Sequence, residues 1–185
     1  MAKLPETASE TATDVARPEP DVARPEPDDA DLLRDEHLLR LDQQICFSLN
    51  AASRAFGGVY RVLLKDLGLT YPQYLVMLVL WEHGDLPVKR IGERLRLDSG
   101  TLSPLLKRLE AAGLVSRERS PEDERSVTVR LTDAGLAMRD RAGQVPRRLL
   151  AATSLPVEDL AALRSLLDRL TGALDTAVLA AGADD

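Results

Sequence analysis

The chain has 185 residues, which is enough for one well-packed domain or for one domain with an appendage. Apolar residues make up 44% of it but aromatic residues only 3%, so the core has to consist mainly of Leu, Val and Ala. No apolar run reaches the roughly 18 residues of a membrane span, and the N-terminus lacks the basic and apolar segments of a secretion signal. One cysteine, Cys46, cannot form an intramolecular disulfide, and we expect a cytoplasmic protein.

The net charge of −6 is distributed unevenly along the chain. Residues 1–40 hold 5 Lys/Arg against 11 Asp/Glu, whereas residues 41–185 hold 19 of each. Within residues 86–131, the basic side chains outnumber the acidic ones by 10 to 7. Because the acidity belongs to the N-terminal part and the centre is locally basic, the overall charge does not exclude a nucleic-acid partner.

Residues 1–36 are predicted to be a disordered, acidic, proline-rich tail. The seven residues DVARPEP occur twice in tandem, at Asp14–Pro20 and Asp21–Pro27. Their prolines prevent helix propagation, and the many carboxylates leave little apolar surface to bury. A docking motif is the alternative interpretation of the repeat.

From about Leu38 onward, the apolar spacing predicts helices. Apolar residues three and four positions apart predict a long amphipathic helix up to Leu63, which Gly57-Gly58 would kink or weaken. A second helix follows Pro72, and residues 87–96 read as a short helix opened by Pro87.

The next predicted helix spans residues 100–112. Asp98 or Ser99 can cap its N-terminus, Pro104 is tolerable only in about the first turn, and Gly113 is suited to the position just after its end. Residues 114–119 and 126–131 alternate with a period of two and therefore predict a β-hairpin.

Two further helices are predicted after the hairpin. One starts at Thr132 and is broken or bent at Pro146, and the other covers about 156–178. The last helix carries a leucine-rich stripe that favours a dimer seam over an intrachain core; its members are Leu160, Leu163, Leu167, Leu170, Leu174 and Val178.

The order of elements predicts a mainly α fold with a small β-hairpin, a winged helix-turn-helix flanked by long N- and C-terminal dimerisation helices. The domain is expected to span residues 37–181, with the winged helix-turn-helix at about 72–131 and the dimerisation helices at about 37–66 and 132–179.

The second helix of a helix-turn-helix lies in the major groove of DNA, so helix 100–112 is the candidate reading helix. Its outward side chains are small and polar or basic, and such side chains approach base edges or phosphates. Arginines on the hairpin suit a narrow minor groove or its phosphates. The predicted DNA-binding residues are Ser99, Thr101, Ser103, Lys107, Arg108, Arg117, Arg119, Asp123 and Arg125.

Each of these charges alone could be an ordinary solvated side chain, and Asp123 could be a plain turn carboxylate rather than a residue that orients Arg125. The order of the elements and the clustering of positive charge together favour DNA binding. A structural, sequence-indifferent DNA protein is disfavoured, because such binding depends on many phosphate contacts and the central excess of positive charge is modest.

Five motifs in the same order resemble the multiple-antibiotic-resistance-regulator (MarR) family and, within it, the organic-hydroperoxide-resistance regulators (OhrR). The resemblance covers about residues 38–178 and leaves out the acidic tail. The wing signature Asp-x-Arg is present as Asp123-Glu-Arg125. The matching stretches are Leu41–Phe47, Leu69–Leu75, Leu80–His83, Leu97–Leu102 and Glu122–Val127.

The resemblance implies a homodimeric repressor that leaves DNA when organic hydroperoxides oxidise one cysteine. Cys46 matches that cysteine, and Tyr60 and Tyr71 match two tyrosines that hydrogen-bond its sulfur in the family. A third tyrosine of some members is Asn50 here, which changes the polarity of the pocket. The chain resembles the type without a second, resolving cysteine.

The helical spacing constrains this sensing site. Fourteen residues separate Cys46 from Tyr60, or roughly 21 Å along one straight helix. A phenol can therefore reach the sulfur only through a sharp kink at Gly57-Gly58 or from an antiparallel partner helix. We expect a site shared between two subunits.

Oxidation of the Cys46 thiolate would give a sulfenic acid. Without a resolving cysteine, this acid would persist, form a mixed disulfide with a low-molecular-weight thiol, or overoxidise. We expect the bulk of the adduct to disturb the dimer geometry, so that half-site spacing no longer fits the operator DNA.

Three alternatives compete with the redox repressor. Cys46 could be an inert core residue, a small phenolic or other ligand could release the repressor, or the chain could be a thiol peroxidase. Turnover is disfavoured because no Lys or Arg lies within a helical turn of Cys46 and no second catalytic group is visible. No metal or other cofactor is expected.

Overall fold

The computed structural model describes residues 39–119 and 126–182. Its contacts divide the chain into a short unit that ends at Phe47 and a main unit that starts at Ser48. The tail predicted for residues 1–36 lies outside the described ranges. In the first unit, Arg40 forms an ion pair with Asp42 at 2.8 Å, next to a 3-10 turn at Leu41–Gln43.

Helices dominate the described ranges, with short strands grouped around the wing. In chain order they are α1 (Ile45–Leu63), α2 (Tyr71–His83), β1 (Leu86–Pro87), α3 (Val88–Leu95), α4 (Ser99–Ala111), β2 (Val115–Arg119), β3 (Val127–Leu131), α5 (Asp133–Ala142), α6 (Gln144–Thr153) and α7 (Val157–Ala181). The predicted fold class, a mainly α winged helix-turn-helix, is therefore confirmed.

The wing is a three-stranded antiparallel sheet with the order β1-β3-β2. The predicted hairpin forms its larger part, with Val115 opposite Leu131 and Arg119 opposite Val127. Strand β1, which pairs Leu86 with Val129, was not predicted from the sequence. Two residues are too few to show an alternating pattern, and Pro87 is tolerated because β1 is an edge strand.

The core of the main unit lies between α2, α3, α4 and the sheet. Helix α2 is buried on most of its circumference, whereas α4 buries a single face, as predicted. Aliphatic side chains fill the centre, and Tyr74 and Trp81 complete it. The most deeply buried members are Leu64, Val76, Met77, Leu80, Ile91, Leu102, Leu106, Leu109 and Val129.

The predicted capping residues of α4 are confirmed, and the helix itself lies one residue earlier than the predicted 100–112. Asp98 is the N-cap, and its carboxylate accepts a hydrogen bond from the backbone N–H of Thr101 at 2.8 Å. At the other end, Gly113 adopts a left-handed φ of 70°. Its N–H donates to the carbonyl of Glu110 and that of Leu114 donates to Leu109, the hydrogen bonds of a Schellman motif.

Three local expectations about glycine and proline are wrong. Helix α1 runs through Gly57-Gly58 without interruption, since a helix tolerates interior glycines at a modest energetic cost. The break after α5 falls at Gly143, and Pro146 lies in the first turn of α6, where its missing N–H costs little. Pro104 lies in the second turn of α4, beyond its expected place.

The C-terminal helix α7 buries none of its 25 residues. Three members of the predicted leucine stripe stay exposed, Leu163 at 41%, Leu174 at 57% and Val178 at 72%. No helix within residues 39–119 and 126–182 combines the length and apolar character needed to cross a bilayer. The described part of its own chain therefore covers the apolar stripe of α7 only in part.

Candidate functional site

The N-terminal end of α4 presents three hydroxyl groups to solvent. Ser99, Thr101 and Ser103 are all exposed. The hydroxyl of Thr101 donates to the carboxylate of Asp98 at 2.8 Å, and that of Ser103 donates to the carbonyl of Ser99 at 2.6 Å. Because these two hydroxyl hydrogens are already used, the oxygens of Thr101 and Ser103 face outward as acceptors.

The charge of Asp98 is fixed by this turn. The hydrogen bond from the backbone of Thr101, followed by that from its hydroxyl, lowers the pKa of the Asp98 carboxyl below its usual value. The start of α4 therefore keeps an anionic cap at neutral pH, and this cap orients Thr101.

The structure separates free cations from paired ones around α4 and the wing. Lys107, Arg108 and Arg119 are exposed, and no carboxylate of the described residues pairs with them. Arg117, by contrast, donates from Nε and Nη2 to one oxygen of Glu110, at 2.9 and 2.6 Å. This contact lowers the pKa of the Glu110 carboxyl, so the pair stays ionised. Arg117 therefore has to give up the Glu110 carboxylate before it can bind another anion.

Two further exposed cations, which were not predicted from the sequence, lie on α3. Lys89 and Arg94 are exposed and have no ion-pair partner within the described residues. Both residues contribute to the basic excess of residues 86–131. The composition alone, however, cannot distinguish an unpaired cation from a paired one such as Arg90, which forms an ion pair with Glu93 at 2.7 Å.

An open groove of about 780 Å³ lies between α3, the start of α4 and the wing. Its wall contains the candidate residues Ser99, Ser103 and Arg117, together with Lys89 and Arg96. The predicted reading helix and the wing thus border one concave surface. The two remaining candidates, Asp123 and Arg125, lie outside the described residues.

Cys46 is exposed and is the second residue of α1. It belongs to the short N-terminal unit, whereas the tyrosines belong to the main unit. The thiol is therefore not part of the core of its own chain.

The predicted sensing tyrosines form one aromatic cluster in the main unit. The rings of Tyr60 and Tyr71 stack with their centroids 4.2 Å apart, and Tyr74 lies 6.0 Å from Tyr60. Tyr74 also makes an edge contact with Trp81 at 6.2 Å. Within the described part of the chain, no group hydrogen-bonds to the hydroxyls of Tyr60 or Tyr71.

Burial, followed by the neighbouring Tyr71 and Tyr74, raises the pKa of Tyr60 to about 12. Burial and Tyr71 also raise the pKa of Tyr74 above its usual value. The phenol of Tyr60 is therefore protonated at any physiological pH, and it can act only as a neutral hydrogen-bond donor or acceptor.

A second groove, of about 310 Å³, is mainly apolar and lies between α1, α6 and α7. Phe56 and Val59 of α1 line it together with Leu149 of α6 and Leu160 and Leu163 of α7. No group of three His, Cys, Asp or Glu side chains with metal-binding geometry occurs within residues 39–119 and 126–182.

Comparison with known proteins identifies the family. The family model "Transcriptional regulator SarA/Rot" matches residues 58–141. The chain is 49% identical over 129 residues to the organic hydroperoxide resistance transcriptional regulator of Bacillus subtilis, a match that covers 70% of this chain and 88% of the relative. The chain belongs to the MarR family, in its OhrR branch.

Solved structures of other regulators agree with this MarR-family assignment. Reduced AbfR bound to DNA superposes with a TM-score of 0.68 and 35% identity, covering 78% of this chain and 99% of AbfR, a protein of Staphylococcus epidermidis. PcaV of Streptomyces coelicolor, solved with its natural ligand, has a TM-score of 0.64 and 27% identity, covering 74% and 97%. Since its relatives are winged-helix transcriptional regulators, this MarR-family protein is a transcriptional regulator and not an enzyme.

Proposed function

We propose that the chain is a homodimeric DNA-binding repressor that senses organic hydroperoxides by oxidation of Cys46 and then releases its operator. The observation that carries the proposal is the exposed Cys46 at the start of α1 in a chain 49% identical to an organic hydroperoxide resistance regulator.

The DNA-binding surface consists of the exposed face of α4 and the wing. The hydroxyl oxygens of Thr101 and Ser103 suit base donors in the major groove, and the free cations Lys107, Arg108 and Arg119 suit phosphates. The likeness to AbfR bound to DNA, with a TM-score of 0.68, supports this arrangement. Arg117 would exchange the carboxylate of Glu110 for a phosphate on binding.

The homodimer is formed by the N- and C-terminal helices. The exposed leucines of α7 and exposed Phe56 of α1 form apolar surface that a second copy of the chain would cover. Dimerisation also places two copies of α4 at the half-site spacing of a palindromic operator.

The sensing chemistry begins with attack of the Cys46 thiolate on the peroxide. Sulfur bonds to the terminal oxygen, the O–O bond breaks, and the alkoxide leaves as an alcohol after it takes a proton from solvent. The product is a sulfenic acid. A low-molecular-weight thiol then attacks this sulfur and releases water, which leaves a mixed disulfide.

Phenol donors would stabilise the thiolate in this reaction. Tyr60 and Tyr71 have free hydroxyls within the described part of the chain, and burial keeps the phenol of Tyr60 protonated. Because α1 continues through Gly57-Gly58, we favour donation across the dimer, from the tyrosines of the partner subunit, over a kinked helix. The mixed disulfide would then wedge the two subunits apart and misalign the reading helices.

The test is a DNA-binding titration on the region upstream of the chain's own gene, before and after one equivalent of organic hydroperoxide plus a small thiol. Wild type should release the DNA after oxidation, and Cys46→Ser should stay bound. Ser48→Ala, an exposed change in the same turn, is the matched control and should respond like wild type. Retained binding by oxidised wild type would refute the sensing mechanism, and absence of binding would refute the DNA interface.

A ligand-released repressor is the second candidate. The apolar groove of about 310 Å³ between α1, α6 and α7 could hold a small phenolic or other ligand, and the likeness to PcaV solved with its natural ligand supports it. In that case, Cys46→Ser would keep the response to the ligand. A series of phenolic acids in the same titration separates the two candidates.

A further inference from the structure

The turn between α3 and α4 carries an arginine whose side chain reaches the C-terminal helix. Arg96 is the C-cap residue that follows α3, and its Nη1 donates to Oδ2 of Asp175 on α7 at 2.6 Å. The two residues are 79 positions apart in the chain. Their side chains are 65% and 59% exposed, so this ion pair contributes little to overall stability but can still fix an orientation.

The backbone of this turn is tightly constrained. Arg96 adopts a left-handed φ of 54°, which is unusual for a residue with a side chain. Its N–H donates to carbonyls of Gly92 and Glu93, and the N–H of Leu97 donates to Gly92 at 2.9 Å. A Cβ on Gly92 would lie 2.8 Å from the carbonyl oxygen of Leu97. The side chain of Arg96 therefore extends from a backbone position that is held in one conformation.

Helix α7 has little else to hold it to the winged part. It buries no residue. Within residues 39–119 and 126–182, the contact between Arg96 and Asp175 is the one side-chain ion pair that joins α7 to the segment from α2 to β3. Loss of this ion pair would allow the angle between α7 and the helix-turn-helix to change.

We propose that Arg96 and Asp175 are positioning residues for operator binding. Their ion pair fixes the angle between α7 and the turn from which α4 starts, and in the dimer this angle sets the distance between the two reading helices. This inference rests on the proposed function, because half-site spacing has a meaning only for a dimer on DNA. Neither residue needs to contact the DNA.

The test first maps the operator by footprinting. It then measures the affinity of each variant for this operator and for versions in which the half-sites are moved by one base pair. Asp175→Asn and Arg96→Gly should each bind the native spacing about two- to fivefold more weakly and discriminate less between spacings. Glycine suits the left-handed backbone at position 96, so the turn itself is kept. The charge-swapped Arg96→Asp/Asp175→Arg should restore both affinity and discrimination.

Asp168→Asn is the matched control, because Asp168 is exposed on the same helix and has no ion-pair partner within the described residues. It should bind like wild type. If Arg96→Gly weakens binding while Asp175→Asn does not, Arg96 contacts DNA itself and the proposal is wrong. The proposal is also wrong if the charge swap fails to restore the loss.

Amide hydrogen exchange provides a readout without DNA. Asp175→Asn should speed exchange in α7 around residues 172–178, and the charge swap should reverse this change. If wild type binds no duplex, the proposed function fails, while the exchange data still decide whether the pair holds α7. Unchanged exchange in Asp175→Asn would overturn the positioning role.

Discussion

At the scale of single residues, the aromatic cluster shows how burial sets the chemistry of a side chain. Tyr60 stacks on Tyr71 and lies beside Tyr74, and the low polarity of this position disfavours the phenolate. The family resemblance selected Tyr60 and Tyr71 from the sequence, but no spacing rule could predict that they stack on each other. Their rings come from α1 and α2, whose packing is a property of the folded chain.

The raised pKa of Tyr60 makes a prediction about stability at high pH. Since the folded pKa of about 12 exceeds the ordinary value of about 10, the stability that the neutral phenol contributes is complete below pH 10 and is lost as the pH rises through 12. Melting temperatures measured between pH 9 and 12 should therefore fall less steeply for Tyr60→Phe than for wild type. Identical slopes would contradict the burial of this phenol.

At the scale of the elements, the wing is joined to α5 by a set of short contacts around one glycine. Thr132 caps α5 by accepting from the N–H of Gly135, and its hydroxyl donates to the carbonyl of Gly113. The indole of Trp81 donates to the carbonyl of Gly135 at 2.9 Å. A Cβ on Gly135 would lie 2.1 Å from the carbonyl oxygen of Leu114.

Gly135→Ala should consequently destabilise the protein by more than about 2 kcal/mol, because the methyl group meets backbone that cannot move aside. The control is Gly57→Ala in α1, where an added Cβ meets nothing within 4 Å in the chain. That change should be neutral or should stabilise by up to about 1 kcal/mol. Chemical denaturation of the two variants measures the difference, and equal stabilities would contradict the close approach at Gly135.

The elements that the sequence predicted well are those with strong local signals. Asp98 and Gly113 mark the ends of α4 because capping depends on neighbouring residues alone. The short strand β1 and the ion pair between Arg96 and Asp175 were not predictable, since each depends on a residue more than 40 positions away. Gly57-Gly58 misled the prediction because its local cost is smaller than the gain from continuing the helix.

At the scale of the whole molecule, charge is divided between ion pairs and free cations. Lys107→Ala and Arg108→Ala should each weaken DNA binding and reduce the slope of log affinity against log salt by about one, if each cation contacts one phosphate. Arg130 is the control, because it already pairs with Asp85 and Glu118, both at 3.1 Å. Binding titrations over a series of salt concentrations measure the slopes. Equal slopes for Lys107→Ala, Arg108→Ala and Arg130→Ala would contradict the assignment of free cations.

The exposed leucines of α7 predict the assembly state. Wild type should sediment with twice the 20.2 kDa mass of the chain. Leu174→Asp should shift this equilibrium towards single chains, because a charge in a dimer seam is desolvated without a partner. Leu136→Asp, at a leucine that is 53% exposed on α5, should leave the mass unchanged. A wild-type protein that sediments as one chain would contradict the dimer.

The exposed α7 also bears on how long the protein survives in a cell. A 25-residue helix that buries none of its residues against its own chain gains little stability beyond its weak intrinsic helicity. If a second copy covers α7 in the proposed dimer, newly made or diluted chains would offer proteases an accessible segment that the dimer protects. Turnover would fall as synthesis rises, so the cellular level of this regulator would be set partly by its own assembly.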